Sequence, residues 1–294
     1  MPRVAAIGTF DGVHRGHRSV LKLLTDYARE HELEPVAITF SSHPLSLIDP
    51  SRKPTELTPR WKKKKLLEET GAFPLVLDFN EQLRSNSASR WMKRLHEEYD
   101  VEALVIGYDN TFGCDGVDLS LEDYKHLGEK EGIKVLTAGE ITGVSSSAIR
   151  KAVASGEMEK AREMLGRPFS ITAKVVSGNR LGHTIGFPTA NIEITEGMAL
   201  PRAGVYEAIV KILSDGSKHP AMVNIGTRPT VMRGDHTVME AHLIGWTGDL
   251  YGKEVTVRFL RILRDEKKFD SIDALRRQLI NDRDMVAKNN VQEN

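Results

Sequence analysis

The stretch Gly8-Thr9-Phe10-Asp11-Gly12-Val13-His14-Arg15-Gly16-His17 decides how the first half of the chain is read. It follows the apolar run Val4-Ala5-Ala6-Ile7 and precedes an amphipathic segment from Ser19 to Ala28. That order predicts a strand, a glycine turn and a helix. At the start of such a helix the unpaired N–H groups and the positive end of the dipole face outward, and phosphate is attracted there. Glycines let the backbone approach a ligand closely. His14 and His17 add donors for oxygens that gain charge during phosphoryl chemistry. Nucleotide chemistry is therefore the leading expectation.

Working outward, strand-like runs at Val4–Ile7, Val36–Phe40, Leu75–Phe79, Ala103–Ile106 and Ile133–Leu136 alternate with helical patterns. The helical patterns lie near Ser19–His31, Arg60–Thr70, Ala88–Tyr99 and Leu121–Lys130. Alternation of this kind predicts a parallel sheet with crossover helices, with ligands beyond the carboxyl ends of the strands. Thr58-Pro59 reads as an N-cap followed by proline at the first helical position, and Gly71 as the terminator. The run Lys62-Lys63-Lys64-Lys65 within that helix reads as a solvated face rather than a nucleic-acid patch. Near Leu165-Gly166-Arg167-Pro168 the pattern changes to short β-rich runs: Ser170–Val176, Gly204–Leu213, Ala221–Ile225, Val238–Ile244 and Glu254–Leu263. These predict a small barrel or sandwich closed by a helix near Ser271–Ala287, with Ile272, Leu275, Leu279 and Val286 on its apolar face. The fold class is thus α/β plus all-β, with domains at residues 1–163 and 164–294.

Composition agrees with a globular protein of two ordinary domains: 294 residues, 40% hydrophobic and 28% charged. Lys+Arg and Asp+Glu are both 41, so no global field draws the chain to nucleic acid or to a membrane. A single cysteine, Cys114, forms no internal disulfide, and the first residues show no signal-peptide pattern. No apolar run approaches a membrane span. The expected compartment is the cytoplasm, and the expected state a monomer or weak homo-oligomer.

Neither G-x-G-x-x-G nor G-x-x-x-x-G-K-[ST] is present, which weakens the dinucleotide-fold and P-loop readings. Val144-Ser145-Ser146-Ser147-Ala148-Ile149-Arg150 follows the fifth strand and opens a helix. Its hydroxyls and N–H groups suit a phosphate, which Arg150 can clamp bidentately. In the second half, Gly178-Asn179-Arg180-Leu181-Gly182-His183-Thr184-Ile185-Gly186-Phe187-Pro188-Thr189-Ala190-Asn191 is glycine-rich and then rigid. Thr189 and Asn191 alternate about Ala190, so an extended backbone turns both oxygen-bearing side chains the same way. That suits a hard cation such as Mg²⁺, though a plain turn with a capping threonine accounts for the motif equally well.

The H-x-G-H turn and V-S-S-S-A-I-R resemble the adenylyltransferase module of prokaryotic bifunctional riboflavin kinase/FAD synthetases. Thr39-Phe40-Ser41-Ser42-His43-Pro44 resembles that family's T-F-x-P-H-P, with Ser42 in place of proline. Gly107-Tyr108-Asp109-Asn110-Thr111-Phe112-Gly113 resembles its G-x-D-F-R-F-G, with Asn110 and Thr111 departing. Gly186-Phe187-Pro188-Thr189-Ala190-Asn191 matches the riboflavin kinase signature, and His183 stands where arginine is common. The resemblance continues through Asn224-Ile225-Gly226-Thr227-Arg228-Pro229-Thr230, Met239-Glu240-Ala241-His242-Leu243 and Arg264-Asp265-Glu266-Lys267-Lys268-Phe269. It implies a Rossmann-like nucleotidyltransferase domain followed by a β-barrel kinase domain. His14 and His17 would hold ATP phosphates, Gly8, Thr9, Phe10, Asp11 and Gly12 would line the nucleotide, and Ser146, Ser147 and Arg150 would bind the departing pyrophosphate. Asp109 would help fix flavin or ATP. Gly178, Gly182 and Gly186 would approach the phosphates of the second ATP, whose Mg²⁺ would meet Thr189 and Asn191. Glu240 would be the general base for the ribityl hydroxyl, and Arg264 a flavin contact. Riboflavin, FMN and ATP are the implied substrates, with FMN and FAD as products. Three rivals remain: a riboflavin kinase whose first domain is a weak adenylyltransferase or scaffold, a flavin sensor without turnover, and nucleic-acid binding through Lys62–Lys65.

Overall fold

The computed structural model describes residues 1–108, 111–178, 182, 185–230 and 234–290. Its contacts divide the chain into two compact units, Met1–Ser146 and Ser147–Asn294.

In the first unit β1 (Arg3–Ile7), β2 (Glu34–Phe40), β3 (Phe73–Leu77), β4 (Val101–Gly107) and β5 (Lys134–Ala138) form a parallel sheet in the order β3-β2-β1-β4-β5. Helices α1 (Arg15–His31), α2 (Leu45–Ile48), α3 (Arg60–Glu68), α4 (Glu81–Arg84), α5 (Ala88–Tyr99) and α6 (Leu121–Lys130) connect the strands. The two-residue strand period splits the apolar runs between two cores. Val4 and Ala6 pack with Leu21 and Leu24 of α1 and Leu67 of α3. Ala5 and Ile7 pack with Trp91 and Leu95 of α5 and Tyr124 of α6. Each large side chain buried this way contributes about 1.5–3 kcal/mol before entropy is counted. Strand order reverses at β1, so the crevice at its carboxyl end lies at the switch point of the sheet. At one edge, β3 pairs with β2 alone and leaves Phe73 and Val76 exposed.

The second unit opens with α7 (Ser146–Ala154) and α8 (Met158–Leu165). Then β6 (Ser170–Val176), β7 (Ala190–Ile192), β8 (Gly204–Ile212), β9 (Lys218–Thr230), β10 (Gly234–Leu243) and β11 (Glu254–Arg264) close into a barrel in the order β10-β7-β6-β11-β8-β9. The terminal helix α9 (Ile272–Asn290) caps it, with Val286 and Leu279 packed against Phe187, Val205 and Met222. Asp282 of α9 is wholly buried and takes Arg264 Nε at 2.9 Å and Gln278 Nε2 at 2.8 Å.

Several expectations shift. The third strand runs from Phe73 rather than Leu75, because Val36 pairs with Phe73 and Phe40 with Leu77. Phe79 lies past the strand end, with its ring edge-on to Phe40 at 5.4 Å. The first helix begins at Arg15, not Ser19, because His14 caps it. Thr58 is not an N-cap: Pro59 occupies that position, and the Thr58 N–H is given to Asp11. Ile272 is exposed and lies off the apolar face of α9. The short strand β7 has no counterpart among the sequence-predicted strands, since three residues carry too little alternation to be recognised.

Candidate functional sites

The first site is built on the loop between β1 and α1. Gly8 N–H donates to the Ile38 carbonyl, fixing the loop to β2 at 3.0 Å. The loop then passes through the left-handed region at Phe10 (φ 47°), Gly12 (φ 84°) and Val13 (φ 39°). A β-branched residue there is strained, and both Phe10 and Val13 are buried, so packing holds the backbone in place. The loop delivers His14 to the N-cap of α1, where its Nδ1 accepts the His17 N–H at 3.3 Å. A neutral His14 therefore carries its proton on Nε2 and presents a donor. That cap leaves the N–H groups of Arg15 and Gly16 at the open helix end.

The His14 and His17 rings stack at 3.6 Å and 18°, and Phe10 meets His17 edge-on at 5.2 Å. A Cβ on Gly16 would press on the His14 ring at 3.1 Å, so glycine between the histidines lets that ring lie flat. Burial pushes His17 well below the ordinary imidazole value, and His14 and the Lys63 ammonium add to the shift. Its Nδ1 is buried without a protein partner. His17 is thus a neutral ring.

Asp11 does something other than line a nucleotide with its carboxylate. Both oxygens accept the Leu57 N–H at 3.0 Å, and Oδ1 also accepts the Thr58 N–H at 3.1 Å. Its own carbonyl accepts the Ser146 hydroxyl at 2.9 Å, which ties Ser146 to the histidine loop. Ser147 and Arg150 follow in the first turns of α7. Lys63, expected on a solvated face, instead donates to the Thr9 carbonyl at 3.1 Å. A small polar recess holds Thr9, Asp11, Ser41, His43 and Lys63. Asp109 and Asn110 lie outside the described residues. Beyond them, Phe112 is pinned to Tyr124 by two hydrogen bonds, N–H to hydroxyl at 2.9 Å and hydroxyl to carbonyl at 2.8 Å.

The second site is a cavity of about 320 Å³ at the barrel, and Gly182, Thr189, Glu240 and Arg264 all line it. Antiparallel register sets Glu240 opposite Asn191 on β7 and opposite Asn224 on β9. Directly paired residues share a face, so two amides flank one carboxylate. Gly178 packs directly on the Asn191 side chain, and Gly182 on the Phe187 carbonyl, with no space for a Cβ at either. The Phe187 N–H donates to the Gly182 carbonyl at 2.8 Å, closing the loop. Gly186 occupies the exposed turn at φ 80°. His183 lies outside the described residues. His242 Nδ1 donates to the Pro188 carbonyl at 2.7 Å, which holds the residue before Thr189. Burial lowers the His242 pKa from its ordinary value. Arg264 reaches the cavity, but its Nε is committed to buried Asp282, and its guanidinium lies 5.7 Å from the Phe269 ring.

Asn224, His242, Glu266, Lys267 and Phe269 also line the cavity; they fall within the motifs quoted from the sequence, which give them no role. His242 could have been found, because it stands two residues from Glu240 on a strand and so on the same face. Asn224 requires the register, which sequence does not give. Thr189, Asn191 and Asn224 offer hard oxygen donors of the kind Mg²⁺ accepts alongside phosphate and water. Among the described residues no group of three or more His, Cys, Asp or Glu forms a metal cluster.

The FAD synthetase family model matches residues 1–150, and the riboflavin kinase family model matches residues 165–289. The chain is 37% identical to the bifunctional riboflavin kinase/FMN adenylyltransferase of Pseudomonas fluorescens, over 93% of this chain and 88% of that one. It is 35% identical to the protein of the same description from Escherichia coli K12 and 32% to that from Bacillus subtilis, each over 95% of this chain and 90% of the relative. A Streptococcus pneumoniae crystal structure described as a macrolide-efflux protein superposes with a TM-score of 0.88 at 29% identity, covering 97% of this chain and 94% of that one. Among the described residues no helix here is long and apolar enough to cross a membrane.

Proposed function

The chain belongs to the bifunctional riboflavin kinase/FMN adenylyltransferase family, and from that premise we propose how its two units divide the work. It is both a riboflavin kinase and an FMN adenylyltransferase. The second unit transfers the γ-phosphoryl group of ATP to riboflavin, giving FMN and ADP. The first unit transfers the adenylyl group of another ATP to FMN, giving FAD and pyrophosphate. The observation that supports this division is that two separate family matches fall on two structural units, each with its own built site. We place the functional boundary at residues 163/164, after most of α8 and just before the kinase match begins. The expected compartment is the cytoplasm.

For adenylyl transfer the nucleophile is the FMN phosphate, already anionic, so the protein has no proton to remove. Its task is positioning and charge stabilisation. His14 Nε2–H and the Arg15 and Gly16 N–H groups are disposed to donate to oxygens on the attacked phosphorus. His17, kept neutral by burial, braces the His14 ring from below and adds no charge that would bind ground-state ATP indiscriminately. Ser146, Ser147 and Arg150 take the pyrophosphate that leaves.

For phosphoryl transfer to riboflavin the nucleophile is a neutral alcohol, and a base has a clear task. Glu240 accepts the proton of the ribityl 5′-hydroxyl. Asn224 and Asn191, its partners in register, keep that face polar. Thr189 and Asn191 meet the Mg²⁺ of ATP, which supplies charge neutralisation on the phosphates when bound. The described apolar lining, Phe187, Met222 and Leu279, suits the flavin ring.

The test is a timed chromatographic assay of the full chain with riboflavin, ATP and Mg²⁺. FMN rises and then converts to FAD. His17→Ala loses FAD formation and keeps FMN formation, whereas Glu240→Gln does the reverse when FMN is supplied. Loss of both activities from either substitution in folded protein refutes the division.

A further inference from the structure

Lys63 departs from the solvated helix face expected of the Lys62–Lys65 run. Lys64 and Lys65 are exposed, whereas Lys62 and Lys63 are half-buried, and the Lys63 ammonium points inward. Nζ donates to the Thr9 carbonyl at 3.1 Å and to the Phe40 carbonyl at 3.5 Å. Thr9 lies just beyond β1 and Phe40 ends β2, so the cation sits across the carboxyl ends of two neighbouring strands. Ligands of open parallel sheets bind at that edge.

The ammonium has no carboxylate within ion-pair distance among the described residues. Asp11 and Glu56 act on it through space, and the Asp11 oxygens are already engaged by the Leu57 and Thr58 N–H groups. Two neutral carbonyls use two of its three N–H donors. A half-buried ammonium held without a direct ion pair is costly, and burial is the largest influence on it. The recess lined by Lys63 also holds His43, Arg60 and the hydroxyls of Ser41 and Ser42, donors suited to an anion, beside the carboxylates of Asp11 and Glu56. The field of Lys63 reaches His17, so the recess and the histidine pair belong to one electrostatic environment.

We propose that Lys63 binds a substrate phosphate during adenylyl transfer and supplies positive charge beside the histidine pair. This rests on the first unit being the FMN adenylyltransferase. The phosphate belongs either to FMN or to ATP, and the kinetics separate the two.

The experiment uses the full chain with FMN, ATP and Mg²⁺ as substrates, and FMN formation from riboflavin as a control within the same molecule. Lys63→Met keeps the methylene stem and removes the charge. It is expected to lower kcat/KM for FAD formation by about a hundredfold, as loss of one charge-stabilising donor does. Kinase activity and the thermal transition stay in place. Lys63→Arg recovers at least about tenfold of the loss. A rise in KM for FMN alone assigns the contact to the nucleophile phosphate. A rise in KM for ATP, with weaker inhibition by pyrophosphate, assigns it to the triphosphate. The proposal is overturned if Lys63→Met changes neither KM nor kcat by more than about twofold. It is also overturned if activity falls only in step with thermal stability and Lys63→Arg fares no better, which would make the lysine a strut between two strands. Should Lys63→Met not fold, Lys63→Arg decides alone: a shifted KM at unchanged stability supports the contact, and unchanged kinetics refute it. Absence of FAD formation in the wild-type chain would instead remove the premise.

Discussion

Asp11→Ala tests whether this carboxylate is a clasp rather than a ligand contact. Two backbone donors, Leu57 N–H and Thr58 N–H, end on Asp11, and all three residues are buried. A hydrogen bond to a charged acceptor is worth about 1.5–3 kcal/mol net, and a donor left buried and unpaired costs about 1–3 kcal/mol. These are two views of the same loss, so two donors set the cost at about 3–5 kcal/mol. For a unit of this size each kcal/mol moves the midpoint by roughly 2–4 °C, which gives a drop of about 6–20 °C. The assay is residual FAD formation after incubation at graded temperatures, with riboflavin phosphorylation as the reference for the second unit. The half-inactivation temperature falls for FAD formation and holds for FMN formation. Asp11→Asn falls between the two, since its one carbonyl oxygen still accepts. A variant that keeps its half-inactivation temperature within about 2 °C but shows a raised KM for ATP would refute the clasp and restore a direct nucleotide contact.

The remaining predictions follow from geometry already described. His17 has a folded pKa below its unfolded value of 6.5, so below that pH the unfolded chain takes up a proton that the folded chain refuses. Stability of the first unit is therefore complete above pH 6.5 and declines on acidification, by up to about 1.4 kcal/mol per pH unit, and His17→Gln flattens that slope in denaturant titrations. Gly178→Ala displaces the Asn191 side chain and raises the kinase KM for MgATP by about tenfold or more, while FAD formation from supplied FMN is unchanged. Arg264→Leu leaves the buried Asp282 carboxylate with Gln278 alone and costs the second unit about 3–5 kcal/mol, read as an earlier loss of kinase activity on heating. A second substitution, Asp282→Leu, recovers most of it.

Much of this was legible in the sequence because the relevant signals are local. An apolar run, a glycine turn and H-x-G-H specify the β1–α1 corner, and α5 and α6 begin and end as their periodicity predicts. Thr189, Glu240 and Arg264 meet in one cavity as the motifs imply. What was not legible depends on long-range pairing. Asp11 is an apparent nucleotide residue until its partners 46 and 47 positions away are known. Lys63 is indistinguishable from its neighbours in a lysine run, since helix phase alone does not say which one faces the sheet edge. That Arg264 also anchors buried Asp282, 18 residues on, through its Nε is not visible in the motif that suggests a flavin contact. In each case a charged side chain is occupied by a partner that no motif names.

The two sheets also differ in how they end. The barrel closes on itself, so each of its strands has a neighbour on both sides, although the short β7 covers only part of β6 and β10. The parallel sheet stops at β3, where one row of N–H and C=O groups has no partner strand and Phe73 and Val76 face outward. Pro74, lacking an N–H, interrupts that row near its start and blunts it as a template. Aggregation during heating or concentrated storage is therefore expected to begin at this border of the adenylyltransferase unit. A lysine in place of Val76 would guard it without touching either catalytic site.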